Sequence, residues 1–254
     1  MKRFAFSYAL TLDFSQPVYK HTFLLRFAPE SDAAQQVWGL DCSCRPEALL
    51  PLTRDAFGNR LAIGHLEAPA ASLAFDVRGD CLLRGEPVEA DCPVFYAMQT
   101  ERTACDEALR ALAQGLPKGA EDAAMLAAQR IRERVVYQKG ATDERTTAAQ
   151  ALARGAGVCQ DMAHLLLAVL REAKIPARYV VGLIPGEGET HAWVEVYDGK
   201  RFIGVDPTHL KRTDDTYLRV CAGRDSRDCA INRGVFAGGV SQTMRVRARM
   251  TERE

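Results

Sequence analysis

The stretch that decides the fold, residues 155–176, reads GAGVCQDMAHLLLAVLREAKIP. From Ala163 onward, apolar residues recur at helical spacing, which predicts a helix that begins near Cys159 and ends around Lys174. Pro176 disfavours helical geometry in the residue before it. The glycines that precede Cys159 allow the backbone to turn sharply there. The pattern therefore predicts a cysteine in the first turn of a helix.

A cysteine in this position is suited to nucleophilic chemistry. The unpaired amides at a helix N-terminus carry about half a positive charge, which favours a thiolate beside them. The thiolate is the nucleophilic form of cysteine. We therefore predict that Cys159 is a nucleophile and that its own backbone amide is one donor of an oxyanion hole. Gln160 and Tyr137 are candidates for the second donor.

The stretch from His191 to Asp206 predicts a β-hairpin, because Asp198-Gly199 is a typical two-residue hairpin loop. With those two residues as the loop, Tyr197 faces Lys200 and His191 faces Asp206. Directly opposed residues share one face of the sheet, with Cβ atoms about 4.5–5.5 Å apart. The other face is then almost uniformly apolar, which supports this register. An imidazole and a carboxylate so placed can form a hydrogen bond.

Together, Cys159, His191 and Asp206 have the chemistry of a catalytic triad. Cys159 attacks a carbonyl, His191 transfers the proton, and Asp206 fixes the imidazole and stabilises its charged form. A histidine–aspartate pair alone is often purely structural, but its combination with a helix-start cysteine favours an active site. Trp193 lies on the His191 face and either lines a substrate cleft or packs the sheet.

Other polar residues of these segments are interpreted as structural. Asp161 complements the helix dipole and bonds locally. His164 lies about 140° around the helix from the cysteine, away from its face. Three further histidines have no partner in the sequence and are interpreted as ordinary surface or core residues: His21, His65 and His209.

Composition excludes few classes of protein but favours some over others. The 254 residues carry 33 basic and 33 acidic side chains, so the charge does not indicate a nucleic-acid or membrane partner. No apolar run approaches the roughly 18 residues of a membrane-spanning helix. The N-terminal segment alternates like a strand and carries Asp13, which does not fit a secretion signal, so we expect a cytoplasmic location and free thiols for the eight cysteines. The cysteines include no Cys-x-x-Cys pair of the kind that binds zinc. We expect no cofactor and no metal, although Cys159, His191 and Asp206 could in principle bind zinc.

The pattern of apolar and turn residues changes near Pro93, from one typical of short strands to one with helical periodicity. We predict an α+β protein with an antiparallel β sandwich or barrel at 1–92 and a catalytic domain at 93–254. The predicted helices cover residues 103–113, 121–136, 147–153 and 159–174. The predicted strands include residues 4–12, 19–27, 177–184, 191–197, 201–205, 217–220 and 244–250.

Four motifs resemble those of bacterial transglutaminase-like proteins, a family that includes cysteine proteases. They are GVCQDMAHL (157–165), IPARYV (175–180), HAWVEV (191–196) and GVDPT (204–208). The resemblance implies a papain-like core, in which the cysteine helix packs on an antiparallel sheet, after a β-rich N-terminal domain. It carries Cys159, His191 and Asp206 over as nucleophile, base and orienting carboxylate. Gln160 departs from the tryptophan of calcium-dependent animal transglutaminases, so calcium and protein crosslinking are not carried over.

These observations lead to one hypothesis with two alternatives. The hypothesis is hydrolysis of a peptide or isopeptide bond through a thioester on Cys159, with a peptide or protein as substrate. The first alternative is transfer of the acyl group to an amine, which uses the same triad. The second is a binding module that retains the triad without catalysis.

Overall fold

The computed structural model describes residues 1–253 of the chain. The strands are β1 (Lys2–Leu25), β2 (Gln35–Arg45), β3 (Leu52–Arg54), β4 (Arg60–Leu66), β5 (Ala70–Leu83), β6 (Val88–Glu89), β7 (Val136–Tyr137), β8 (Ala156–Gly157), β9 (Ala177–Leu183), β10 (Gly186–Gly188), β11 (His191–Tyr197), β12 (Arg201–Asp206), β13 (Lys211–Arg212), β14 (Leu218–Gly223), β15 (Asn232–Ala237) and β16 (Gln242–Arg253). The helices are α1 (Glu107–Ala113), α2 (Ala120–Arg132), α3 (Ala148–Arg154) and α4 (Cys159–Glu172), with a 3-10 helix at Val94–Ala97. Within residues 1–253, no helix has the length and apolarity needed to cross a membrane.

Strand β1 is the central strand of an eight-stranded sheet and pairs with four of its other strands. Its first half pairs with β5 on one side and β16 on the other, and its second half pairs with β4 and β15. The sequence predicted two strands here, but the structure has one strand of 24 residues with a register irregularity between Asp13 and Val18. Alternate side chains are buried from Phe4 to Phe14 and again from His21 to Leu25, and the exposed residues between these two stretches change which positions face the core.

The sheet pairing crosses the predicted boundary at residue 92. Strands β15 and β16, near the C-terminus, both pair with β1, and β10 extends the same sheet from the other side of β16. In β16, Ala248 and Met250 are buried in the apolar core of the N-terminal strands. The alternation in 244–250 was correctly predicted to form a strand, but its partner lies more than two hundred residues away along the chain.

A six-stranded sheet carries the cysteine helix. Its order is β13-β12-β11-β9-β14, with β6 paired to β12. Helix α4 lies against β9 and β11, and ten of its residues from Met162 to Arg171 are buried. A helix that is apolar nearly all round has to be surrounded, and here α1, α2, α3 and the sheet surround it.

The helices confirm most of the predicted boundaries. Helix α3 is capped by Thr147 and Gln150, each of whose side chains bonds the other's backbone amide. It ends at Gly155, whose φ of 66° is left-handed. Helix α2 ends at Arg132, four residues before the predicted end. The chain is mostly β-sheet with few helices, while the narrower α+β class and the N-terminal sandwich or barrel stay predictions.

Candidate active site

The segment before Cys159 is held by a short parallel pair of strands. Tyr137 on β7 pairs with Gly157 on β8. The amide of Gln138 donates to the Gly157 carbonyl at 2.8 Å. Cys159 is the first residue of α4, as predicted. Its amide belongs to the first turn, where backbone donors have no partner within the helix.

Asp161 fixes the start of the helix from within. Its carboxylate accepts hydrogen bonds from the Val158 amide at 2.8 Å and from the Thr142 hydroxyl at 2.6 Å. Burial raises the pKa of Asp161, and the lowering effect of these two hydrogen bonds only partly offsets it. A Cβ on Gly157 would lie only 2.7 Å from the Cβ of Asp161, so the close approach requires glycine. The carboxylate bonds locally, as its predicted structural role requires.

The predicted register of the hairpin is wrong by two residues. Val194 pairs with Val205 and Tyr197 with Phe202, so His191 does not face Asp206 directly. The two-residue loop is Gly199-Lys200, because the Asp198 amide donates to Arg201. The Asp198 carboxylate also accepts from the Lys200 and Arg201 amides at 2.9 Å, which stabilises this turn.

His191 and Asp206 nevertheless meet. A shift of two residues leaves every side chain on its original face of the sheet, so the pair becomes diagonal instead of direct. The Nε2 atom of His191 lies 2.7 Å from Oδ2 of Asp206. Both side chains are buried. This hydrogen bond orients the imidazole and leaves Nδ1 as its second functional nitrogen.

The carboxylate of Asp206 accepts five hydrogen bonds. Besides His191, its donors are His209 Nδ1 at 2.7 Å, the Tyr217 hydroxyl at 2.8 Å, and the amides of Thr208 at 2.8 Å and His209 at 3.2 Å. Burial raises the pKa of Asp206, but the hydrogen bonds and the charge of His191 outweigh it and hold the pKa well below its usual range. The carboxylate is therefore ionised at any ordinary pH.

His209 and Tyr217 were missed in the sequence as members of the site. His209 was interpreted as an ordinary residue, yet it is brought back onto Asp206 by the turn that the two backbone amides stabilise. Its position three residues after the aspartate, in Asp-Pro-Thr-His, is the signal that could have indicated it. Tyr217 reaches the carboxylate from the segment before β14, and no local pattern indicates that contact.

The imidazole of His191 is electrostatically prepared to carry a proton. Burial lowers its pKa, but hydrogen bonds with Asp206 and Cys159 and the negative charges of both raise it to about 9. The imidazole is therefore an imidazolium near neutral pH. Cys159 is partly exposed and lines the same cleft as His191. Cys159 and His191 thus share one opening, and Asp206 is buried behind His191, to which it is hydrogen-bonded.

That opening is a cleft of about 1480 Å³ between the two sheets. One wall comes from the start of α4 and from the segment that leads into β11, with Cys159, Gln160, Glu189 and His191. The eight-stranded sheet also lines it, with the exposed side chains of Ile63, Val235 and Met244. The eight-stranded sheet therefore contributes to the cleft that contains the cysteine.

The three predicted accessory residues, Gln160, Tyr137 and Trp193, lie in different environments. Gln160 lines the cleft beside Cys159. Tyr137 is exposed close to Cys159; burial raises its pKa, and the negative charge of Cys159 adds to the shift. Trp193 is only 1% exposed and packs edge-to-face on Tyr217, with ring centroids 5.3 Å apart. Of its two predicted roles, Trp193 therefore has the packing role, behind His191.

One group of side chains could hold a metal ion. The ligand atoms of His191, Asp206 and His209 all lie within 4.8 Å of one another. Two histidine nitrogens and a carboxylate suit zinc, but this donor set replaces the predicted Cys159 by His209. Oδ2 of Asp206 lies 2.7 Å from Nε2 of His191 and 2.7 Å from Nδ1 of His209, and both distances are those of hydrogen bonds. Metal analysis of the purified protein tests the zinc alternative.

Comparison with protein families identifies the class to which the fold and site belong. The family model described as the transglutaminase-like superfamily matches residues 110–207. The model described as the bacterial transglutaminase-like N-terminal region matches residues 4–81. Residues 110–207 therefore match a transglutaminase-like core, and the matched bacterial transglutaminase-like N-terminal region precedes it in the chain.

Curated relatives share less of the chain. An uncharacterized protein of Mycobacterium leprae is 36% identical over 126 residues, which are 46% of this chain and 45% of that protein. An uncharacterized protein of Mycobacterium bovis is 34% identical over 125 residues, covering 43% of this chain and 40% of that protein. The matched part spans less than half the length of these relatives.

A solved structure shares the whole fold. A protein from Cytophaga hutchinsonii, described as a "putative cysteine protease", superposes with a TM-score of 0.81. The superposition covers 100% of this chain and 91% of the other at 21% sequence identity. At that identity the likeness shows the fold alone, including the arrangement of the N-terminal strands beside the core.

Proposed function

We propose that this protein is a cysteine hydrolase that cleaves amide bonds of peptides or proteins through a thioester on Cys159. The observation that carries the proposal is the 2.7 Å contact between His191 Nε2 and Asp206 Oδ2, beside a helix-start cysteine in a shared cleft. The match of residues 110–207 to the transglutaminase-like superfamily supports a cysteine nucleophile in general.

Each step of the reaction has a group to perform it. The Cys159 thiolate adds to the substrate carbonyl, and the amide of Cys159 donates to the oxyanion. Imidazolium His191 gives its Nδ1 proton to the departing amine as the C–N bond breaks and the thioester remains. Neutral His191 then takes a proton from water, whose oxygen attacks the thioester and releases the acid and the thiolate. Asp206 holds the Nε2–H throughout.

Transfer of the acyl group to an amine is the second candidate. It uses the same thioester, and the two reactions differ only in whether water or an amine attacks. The transglutaminase-like core favours this candidate as well, and a cleft of about 1480 Å³ has room for either acceptor.

The wider proposal concerns class and location. We propose an α+β protein with an N-terminal sandwich or barrel, without nucleic-acid or membrane partners. The eight thiols are all unpaired, which supports a reducing compartment such as the cytoplasm. Fractionation of the native organism, with detection by antibody, tests the location.

A glutamine-containing peptide tests the reaction. The peptide is incubated with the enzyme, with and without a primary amine, and its products are identified by mass spectrometry. Hydrolysis predicts backbone fragments or conversion of glutamine to glutamate, while transfer predicts an amine adduct. Cys159→Ala should abolish every product, and Cys42→Ala, at an exposed cysteine, should leave them unchanged. Products that persist in Cys159→Ala would refute the proposed nucleophile.

A further inference from the structure

Strand β15 has a partner on one side only. It pairs with β1, and among residues 1–253 no other strand pairs with it. A strand at the edge of a sheet presents a row of unpaired N–H and C=O groups, which can pair with another extended chain. Here most residues of the strand are exposed, and residues 232–236 line the cleft that contains Cys159.

The direction of the free backbone groups follows from the register. The Arg26 amide donates to the Ile231 carbonyl at 2.8 Å, and the same register pairs Leu24 with Arg233. In an antiparallel pair, bonded and unbonded positions alternate along the strand. The N–H and C=O groups of Asn232 and Gly234 are therefore directed away from β1, toward the open edge.

A side chain at the start of this edge also lacks a partner. The Oδ1 atom of Asn232 is buried and accepts no hydrogen bond from any residue in 1–253. A buried acceptor without a donor costs about 1–3 kcal/mol, and a donor from water or from a ligand in the cleft would remove that cost.

We propose that the substrate binds as an extended peptide that adds a strand to the free edge of β15 and so presents its scissile amide to Cys159. The inference rests on the proposed function and specifies its substrate. An extended peptide matches this edge because its own N–H and C=O groups repeat with the same spacing. The six residues of β15 span roughly 20 Å, enough for a segment of similar length. The N-terminal sheet is thus a part of the substrate site.

A peptide electrophile tests the backbone pairing. The probe is acetyl-Thr-Val-Thr-Val-Ala chloromethyl ketone, and the rate of Cys159 alkylation is measured by intact mass. Two analogues carry N-methyl groups at residues 1 and 3, or at residues 2 and 4. Strand addition predicts that one analogue loses about tenfold in rate for each lost hydrogen bond, while the other remains within about twofold of the parent. Equal rates for the two analogues would overturn the inference.

A variant tests the same edge from the protein side. Asn232→Ala removes an acceptor that has no partner in the protein, so the fold should be retained while alkylation by the peptide slows several-fold. Thr251→Ala is the control, because this residue is exposed on β16 and lies outside the residues that line the cleft, so its rate should equal that of the wild type. Both variants should react with iodoacetamide at the wild-type rate.

Iodoacetamide also separates the two possible failures. If Cys159 reacts rapidly with iodoacetamide but the peptide shows no alternation, strand addition is wrong and the nucleophile stands. If Cys159 is slow with iodoacetamide as well, the proposed function fails, and the substrate inference fails with it.

Discussion

Asp206 is the residue on which the site is built. Its buried carboxylate gathers five donors, and its charge keeps His191 protonated. A buried charge is tolerated only when it is fully hydrogen-bonded. The site is therefore a preorganised ion network that positions the imidazole before substrate arrives.

The pH profile should report this network. Because the pKa of His191 is raised to about 9, kcat/KM should fall as pH rises through about 9, where the general acid is lost. The same shift adds stability that is complete below the unfolded pKa of about 6.5 and disappears as pH rises toward 9.

Asp206→Asn should move the alkaline limb of that profile to lower pH. It should also reduce kcat/KM by roughly 10²–10⁴-fold, because the imidazolium loses its counter-charge. Asp198→Asn, in the turn of the same hairpin, should leave both unchanged. An unshifted limb in Asp206→Asn would contradict the role of the carboxylate.

Tyr217→Phe should destabilise the fold. The phenol donates to an ionised carboxylate at 2.8 Å, and such hydrogen bonds contribute about 1.5–3 kcal/mol. Urea unfolding should show a loss of that order, with an unchanged slope. Tyr197→Phe, at the half-buried end of β11, is the control and should lose less than about 0.5 kcal/mol. Equal losses in the two variants would remove Tyr217 from the network.

The sequence predicts the residues whose roles are local and misses those whose roles are not. Cys159 is recognisable because glycines and a helix start surround it. His209 and Tyr217 enter the site through a turn and through a separate strand, and neither contact has a periodic pattern behind it.

At the level of the strands, the predicted contact between His191 and Asp206 is present although the predicted register of the hairpin is wrong. A hairpin loop displaced by one residue shifts the pairing by two, and the period of a strand is also two. Sequence patterns determine which face a residue occupies far more reliably than which residue lies opposite. The choice between Asp198-Gly199 and Gly199-Lys200 depended on hydrogen bonds of the Asp198 side chain, which composition does not reveal.

The close packing of β9 against its neighbours yields a stability prediction. A Cβ at Gly182 would lie 2.0 Å from the Leu218 carbonyl oxygen and 2.4 Å from the Trp193 ring. Gly182→Ala should therefore destabilise the protein by about 1–3 kcal/mol or prevent folding. Thermal unfolding measures the effect.

Gly188→Ala is the matched control for that prediction. A Cβ there meets nothing within 4 Å, so its melting temperature should stay near that of the wild type. If Gly182→Ala melts like Gly188→Ala, the packing behind His191 is looser than the structure indicates.

In the whole molecule, side-chain contacts hold the two sheets together. The six-stranded sheet contributes three side chains to the apolar core of the N-terminal strands: Leu183, Leu218 and Val220. The Gln35 side chain bonds the backbone of Arg219 in both directions, at 2.9 Å. A domain boundary predicted from local sequence patterns cannot reveal these contacts, because they join residues that are distant in the sequence.

Residues 93–254 alone should therefore not fold. Without β1, β15 loses its pairing partner and β16 retains only its three-residue pairing with β10, while the apolar side chains of β9 and β14 are exposed. Circular dichroism and calorimetry should show no cooperative transition for this fragment and one transition for the full chain. Coexpression with residues 1–92 is the control and should restore folding. A fragment that melts cooperatively by itself would show that the halves are independent.

The most direct test of the triad is the reactivity of its thiol. The rate of Cys159 alkylation by iodoacetamide is measured by peptide mass spectrometry at neutral pH, with exposed Cys42 as the internal reference. The proposed triad predicts that Cys159 reacts at least about tenfold faster than Cys42, and that His191→Gln removes the difference. Equal rates for Cys159 and Cys42 in the wild-type protein would contradict a nucleophile activated by His191 and Asp206.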